Sequence, residues 1–521
     1  MAGKYLLDYA FIKVDYSYLY LTVKIFRIMS VRVRFAPSPT GFLHIGGLRT
    51  ALYNYLFARH HQGTYVLRIE DTDQSRYVED AEQDIIESLE WAGIQIDEGP
   101  HKPGTFGPYR QSERKELYLH YAQQLIEQGD AYYAFDTTDE IEEMRDRLKK
   151  SGNPSPKYDS ITRQSMKNSL TLSQDQVQEK LKNGDEYIIR LKVPRRETVK
   201  FEDEIRGIVS FDTAGLDDQV LLKSDGMPTY HLANVVDDHT MEITHVIRGE
   251  EWLSSAPKHM LLYKAFGWEA PTMAHLPLIM SPSGGKLSKR KAETEGIPVN
   301  TKDYRFGHYE PEALINFLAF LGWNPGDDSE VHDMNSLCKK FSLDRVSKGG
   351  AVFNYKKLMW YNENYVHNRT IEDLLPQVQH LFKVSGVKAD DITFLEMVLA
   401  LLHERVSKVN EFVPMGRFFY EAPTDYDEKA LKKWNDQSVE LVQSFTGRLV
   451  TIADQEFTAA VIKQALEATV EAESVGFGKV MMPVRIALSG QGFGPDLFPA
   501  MELIGKTDCL ERLESAVQRL G

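Results

Sequence analysis

The sequence predicts an α/β protein: an N-terminal region built on a parallel sheet, interrupted by an insert, and followed by a mostly α-helical C-terminal region. Three observations carry this. Residues 31–35 alternate as a strand and pass through a proline- and glycine-rich turn into Leu48, Leu52 and Leu56 at helical spacing. TYVLRIED (residues 64–71) supplies a second strand, and residues 81–92 a second helix with Ile85, Ile86 and Leu89 on one face. Strand–helix–strand–helix order favours parallel pairing with right-handed crossovers. Far downstream, ITFLEMVLALLHERV (residues 392–406) sets Leu395, Val398, Leu399 and Leu402 at helical spacing, a stripe that reads as core.

The first thirty residues are aromatic-rich and carry Lys4, Asp8, Lys13, Asp15, Lys24 and Arg27, so they match neither a membrane span nor a secretory signal. Met29 stands just before the first strand, and residues 1–29 are set aside as an appendage. From about residue 111 the pattern turns mixed: a helix over residues 115–128, then AYYAF, a polar stretch, and alternating segments EYIIRLKV and IVSFD, together read as an inserted domain. The parallel pattern resumes at THVIRGEEW (residues 244–252) and SAPKHMLLYKAFG.

A chain of 521 residues has material for several cores. Its two cysteines, Cys338 and Cys509, form no CxxC pair, which argues against a disulfide framework or a cysteine zinc site and fits a reducing compartment. A net charge of −15 argues against indiscriminate coating of nucleic acid but leaves room for local basic faces. RLKVPRRETVK (residues 190–200) and KLSKRK (residues 286–291) are two such stretches; either could be a solvated charged face.

The most informative stretch is RFAPSPTGFLHIGGLRTALYNYL, residues 34–56. A Walker-type phosphate loop is excluded, because Gly47 and Leu48 stand where that pattern needs Lys and Ser or Thr. Two readings remain: a tight turn with a satisfied core histidine, or a nucleotide site in which glycines admit the ligand to the backbone and His44 donates to phosphate oxygens. KLSKR, after the glycine–serine lead-in SPSGG, favours the second, since ammonium groups on a loop can close over a triphosphate. For the strand ends, an Arg34–Glu70 ion pair and a helix cap or metal site at RIEDTD stay open as structural alternatives.

Together these elements resemble the HIGH and KMSKS signatures of class I aminoacyl-tRNA synthetases. RFAPSPTGFLHIGGLRTALYNYL, LRIEDTD, YHLANVVDDH, THVIRGEEW, KLSKR and the late MPVRIALSGQGFGPDL resemble bacterial glutamyl-tRNA synthetases in particular, from residue 31 to the C-terminus. The resemblance implies a Rossmann-type catalytic domain over residues 30–110 and 228–275. It implies an inserted acceptor-end-binding domain over 111–227, a stem-contact region over 276–365 and a helical anticodon-binding domain over 366–521.

It also implies a two-step ligase that activates L-glutamate with ATP and charges tRNA(Glu), needing tRNA even for the first step, with charging of tRNA(Gln) as the alternative. Arg34, Ala36, Ser38, Glu70, Tyr230, Asn234, Arg248 and Trp252 are then expected around glutamate. His44, Gly46, Gly47, Lys286, Ser288 and Lys289 are expected around ATP and its Mg2+, with His44 and Lys289 catalytic. Arg190, Lys192, Arg195 and Arg196 are candidate tRNA contacts. A cytoplasmic monomer without membrane attachment is expected. Two departures stand out: AYYAFDT (residues 131–137) lacks the cysteines of zinc-bearing relatives, so zinc is not expected, and KRKAETEGIPVNTKDY is longer and more polar than the family's KRHG. A small nucleotidyltransferase, a shortened tRNA-modifying relative and a non-enzymatic tRNA adaptor are the rival functions. They are disfavoured respectively by the helical C-terminus, by the anticodon-binding part and by the intact His44, Glu70, Arg248 and Lys289.

Overall fold

The computed structural model describes residues 30–521; the appendage expected over residues 1–29 lies outside them. Two compact units result, one running through residue 303 and taking in 318–353, the other made of 304–317 and 354–521.

In the first unit β1 (Arg32–Phe35) leads to α1 (Ile45–His60), β2 (Thr64–Leu67) and α2 (Ala81–Trp91), with β1 and β2 parallel. Helix α1 is buried nearly all round, with Leu48, Leu52, Tyr53 and Leu56 fully enclosed and its buried Arg49 and Asn54 donating to the Leu321 and Ile247 carbonyls. The insert follows: α3 (Lys115–Gln128), β3 (Ala131–Ala134), α4 (Thr138–Lys150), α5 (Gln174–Asn183), β4 (Ile188–Leu191), β5 (Thr198–Asp203), β6 (Gly207–Asp212) and β7 (Val220–Leu222). Strands β3, β4 and β7 form an antiparallel sheet in that order, packed on α3 through Tyr118, Leu125, Ile189 and Leu221.

The chain then returns to the first sheet through α6 (Tyr230–Thr240), β8 (His245–Gly249), α7 (Ala256–Phe266) and β9 (Thr272–Leu276). The Thr244 N–H donates to the Arg32 carbonyl at 2.9 Å, which sets β8 beside β1, and β9 lies parallel to β8. The order β2-β1-β8-β9 starts at its centre and grows first one way and then the other. Such a reversal leaves a crevice at the carboxyl ends of its two central strands, here β1 and β8.

One assignment changes. Strands β5 and β6, read as part of the insert, form a hairpin that extends the catalytic sheet: β5 pairs in parallel with β9 through Asp203 and Met273. The hairpin covers what would otherwise be the open edge of β9. Beyond β9, β10 (Ile279–Met280) pairs with β11 (Ala351–Val352), and the short α8 (Lys289–Thr294) lies between them in sequence.

The second unit is helical. Leu395, Val398, Leu399 and Leu402 are fully buried and join Leu374, Val378, Phe382 and Phe412 in one core; Leu441, Phe445, Ile462, Leu466, Val484 and Leu513 join in another. Its long segment begins at residue 354, and Tyr355–His367 within it is one continuous helix whose Leu358, Tyr361 and Val366 are all buried.

Candidate active site

A cavity of about 650 Å3 opens at the crevice between β1 and β8. It is lined by Arg34, Ala36, Ser38, Glu70, Tyr230, Asn234, Arg248 and Trp252, and equally by His44, Gly46, Gly47, Lys286, Ser288 and Lys289. Arg34 and Lys289, 255 positions apart in the chain, thus face one space of small-ligand size.

The glycine–histidine turn is built around its histidine. His44 is the N-cap of α1, and its Nδ1 accepts from the Gly47 N–H at 3.0 Å. A Cβ on Gly46 would lie 3.1 Å from the His44 ring, and one on Gly47 would lie 2.8 Å from the Leu43 Cδ1. The glycines therefore make room for the imidazole and its neighbour. The His44 side chain reaches the surface of the cavity, yet the surrounding walls desolvate it and push its pKa below the usual 6.5; Glu251 works against this, and Lys289 and Lys286 reinforce it. A neutral imidazole that accepts at Nδ1 carries its proton on Nε2. His44 is then a donor available to an acceptor in the cavity.

The lysine loop is pinned at both ends. On one side β10 holds it, with the Leu287 N–H donating to the Ile279 carbonyl. On the other, the Ile45 N–H donates to the Val299 carbonyl and the Thr301 N–H to the Leu43 carbonyl, so the long polar segment after KLSKR hydrogen-bonds back onto the histidine turn. Ser288 caps α8, accepting from the Lys291 N–H at 3.4 Å. Lys286 lies 3.5 Å from Glu251, whereas Lys289 has neither a hydrogen bond nor an ion pair to the described residues.

The arginines divide into two kinds. Arg34 is buried and bonded directly to Asp238, through Nε at 2.9 Å and Nη2 at 3.3 Å. Asp238 also accepts from Arg68 at 2.8 Å, and Arg68 reaches Glu70 at 3.1 Å. Asn234 donates to the same Glu70 oxygen at 3.1 Å. The simple Arg34–Glu70 pair is therefore replaced by a chain, Arg34–Asp238–Arg68–Glu70. Burial raises the Glu70 pKa, while Arg68, Arg34 and the Asn234 amide oppose it; for Asp238, burial is outweighed by Arg34 and Arg68, and its pKa falls.

Arg248 is different. It is equally buried, but it donates to the Tyr230 hydroxyl at 2.8 Å, to His275 Nε2 at 3.1 Å and to the Trp252 carbonyl at 3.3 Å. Among the described residues none of its hydrogen-bond partners is a carboxylate. A buried guanidinium with only neutral acceptors keeps its full charge facing the cavity, a costly arrangement that an anion relieves. The rings of Tyr230 and Trp252, 4.5 Å apart, stand beside it.

The remaining acids near the strand ends are engaged. Asp71 accepts from the Ser112 N–H and hydroxyl, and Asp73 from Ser75 and Arg76. In the insert, the four basic candidates separate. Arg190 is buried, donates to the Asp218 carbonyl at 2.9 Å and lies over the Tyr158 ring at 4.0 Å, so it is committed to the fold. Arg195 and Arg196 are exposed, as is Lys192, which bonds the Gly129 carbonyl.

Sequence reasoning missed Arg68, Asp238 and the His275–Asp203 pair. Two of these had a local signal. Arg68 lies two residues before Glu70, and so on the same side of a strand; Asp238 continues the Tyr230, Asn234 spacing at i, i+4, i+8 along α6.

A doubly wound sheet whose switch point joins a glycine–histidine turn to a lysine loop defines the class I tRNA synthetases. The family of class I tRNA synthetases (E and Q), catalytic domain, matches residues 30–360, and an anticodon binding domain matches residues 369–517. The glutamate--tRNA ligase of Christiangramia forsetii is 52% identical over 504 residues, spanning 94% of this chain and 99% of that protein. The one from Amoebophilus asiaticus is 48% identical over 508 residues, spanning 94% and 98%. A crystal structure of a glutamate tRNA ligase from Elizabethkingia meningosepticum in complex with its amino acid matches with a TM-score of 0.86 at 43% identity, over 94% of this chain and 100% of that one. The chain belongs to the glutamate--tRNA ligase family. Class I enzymes of this family use ATP, and among the described residues no helix is long and apolar enough to cross a membrane.

Proposed function

We propose that this chain activates L-glutamate with ATP and transfers the glutamyl group to the terminal adenosine of tRNA(Glu). The observation that carries the glutamate assignment is Arg248: a buried, uncompensated cation at the carboxyl end of a central strand, in the same cavity as His44 and Lys289. Arg34, already neutralised by Asp238, lines the same pocket with Ala36 and Ser38. Glu70 and the Asn234 amide suit the substrate ammonium.

In the first step the glutamate α-carboxylate attacks the α-phosphorus of ATP, delivered as its Mg2+ complex; the P–O bond to the pyrophosphate leaving group breaks and glutamyl-adenylate forms. The carboxylate is already a nucleophile, so positioning and charge stabilisation supply the rate. Neutral His44 donates from Nε2 to phosphate oxygens, Gly46 and Gly47 keep the turn tight, and Lys286 and Lys289 offset the growing charge, with Ser288 shaping the loop. In the second step a hydroxyl of the terminal adenosine attacks the mixed anhydride and AMP leaves. Lys192, Arg195 and Arg196 on the insert are candidates for tRNA phosphates, with Arg190 buttressing the strand that leads to them. The helical unit reads the anticodon, and the work is that of a cytoplasmic monomer, as the family resemblance leads one to expect. No observation favours extending the reading to tRNA(Gln).

ATP–pyrophosphate exchange with glutamate, with glutamine and without amino acid, each with and without tRNA(Glu), tests this. Glutamate- and tRNA-dependent exchange is expected. Exchange driven by glutamine alone, or none under any condition, refutes it.

A further inference from the structure

We propose that His275 is a positioning residue that aims Arg248 at the substrate carboxylate while keeping a counter-charge away from it, and that Asp203 fixes the tautomer this requires. The inference rests on the reading of Arg248 given above.

The geometry is specific. His275 on β9 is the register partner of Arg248 on β8, so the two side chains leave the sheet side by side. Arg248 Nε donates to His275 Nε2 at 3.1 Å. A guanidinium has no acceptor, so Nε2 must hold the lone pair and the imidazole proton must sit on Nδ1. His275 Nδ1 is 2.5 Å from Asp203 Oδ2, and the carboxylate takes that proton's hydrogen bond. The other Asp203 oxygen accepts from the backbone N–H groups of Arg206 at 2.9 Å, Ile205 at 3.1 Å and His275 at 3.3 Å, which lock it at the end of β5. Both Asp203 and His275 are fully enclosed.

Arg34 shows what the imidazole avoids. Asp238 bonds Arg34 directly and compensates its charge. At Arg248 the nearest carboxylate in this chain of contacts, Asp203, acts through an intervening ring. The guanidinium is oriented by the ring, yet its charge is left for the ligand. A glutamate side chain satisfies that charge and a glutamine side chain does not, so the arrangement bears on the glutamate-to-glutamine preference as well as on affinity.

Two amide substitutions separate the two ends of the imidazole. In His275→Gln the amide reaches the Nε2 position and can still accept from Arg248; in His275→Asn it reaches only the Nδ1 position and can serve Asp203 alone. Tested in tRNA-dependent ATP–pyrophosphate exchange, H275N is expected to raise the KM for glutamate by about tenfold or more, the loss of a hydrogen bond to a charged group, with the KM for ATP unchanged and the preference over glutamine reduced. H275Q is expected within about threefold of the parent. Arg248→Gln should raise the glutamate KM at least as far, and adding H275N to it should change nothing further. If H275N proves unstable, the double variant H275L/D203N removes the acceptor from Arg248 without leaving a buried carboxylate unpaired, and the same rise in glutamate KM is expected. Equal glutamate KM values for H275N and H275Q, or a rise in the KM for ATP matching that for glutamate, overturn the proposal while leaving Arg248 in its role. An unchanged glutamate KM in R248Q overturns the reading beneath it.

Discussion

Replacing Asp238 with asparagine keeps the side-chain volume and removes one charge from the chain Arg34–Asp238–Arg68–Glu70. Asp238 is 1% exposed and accepts three bonds from two guanidinium groups, at 2.8, 2.9 and 3.3 Å. Bonds to charged groups contribute about 1.5–3 kcal/mol each, against about 1 for a neutral pair. Asparagine keeps one accepting oxygen, presents an amide donor to a donor, takes from buried Arg34 its bonded carboxylate and leaves Arg68 with Glu70 and Asp237. The expected cost is about 3–5 kcal/mol, a large part of a domain's stability. Hydrogen exchange read peptide by peptide is the suitable assay, because the helical second unit serves as an internal reference. Amides of β1 and α6 that open only with the whole unit should exchange faster by roughly two to three and a half powers of ten, at about 1.4 kcal/mol per tenfold, with peptides of the core around Leu441 and Phe445 unchanged. Acceleration below about tenfold would mean that the network is not a unit and that Arg34 is held by something else.

Other outcomes follow from the same geometry. Lys289→Ala should lower the turnover of ATP-dependent exchange by about a hundredfold or more with little change in glutamate KM, and unchanged turnover removes the lysine loop from the chemistry. Gly46→Ala brings a methyl to 3.1 Å from the His44 ring, so turnover should drop by about tenfold while urea unfolding stays within about 1 kcal/mol of the parent; wild-type turnover would show that the ring has room to move. His231 is held neutral, its pKa lowered to about 3 by burial and by Lys258 against Asp217. Its contribution to stability is therefore complete above 6.5 and is lost as pH falls from 6.5 toward 3, at about 1.4 kcal/mol per pH unit. His231→Gln should flatten the acid limb of the stability curve by one proton, and an unaltered slope refutes the assignment.

Much of the site was legible in the sequence where its signal was local. The turn at His44, the acid at Glu70 and the arginines at positions 34 and 248 all sit at strand ends, and strand ends can be read from alternation that stops at a glycine or an acid. What connects them was not legible. Asp238 meets Arg34 across 204 positions, and Asp203 meets His275 across 72. The second meeting depends on β5 pairing with β9 rather than joining the insert, a choice of sheet edge that no residue pattern in 198–212 encodes. Arg190 shows the opposite failure. A run of cations looks exposed, yet one member stacks on Tyr158 and is enclosed, because a long side chain can bury its stem and satisfy its head on a carbonyl.

The pinning of the lysine loop has a consequence for how Lys289 meets a ligand. Leu287 is tied to Ile279 and Val299 to Ile45, so residues 288–298 form a tether closed at both ends, with Lys289 two residues beyond the first anchor. A group on such a tether samples a small volume around its anchors, and its effective concentration there is on the order of millimolar however dilute the protein is. One of those anchors is the histidine turn itself. For an anion entering the cavity, the lysine is a reagent whose local concentration is set by chain length and measured from His44.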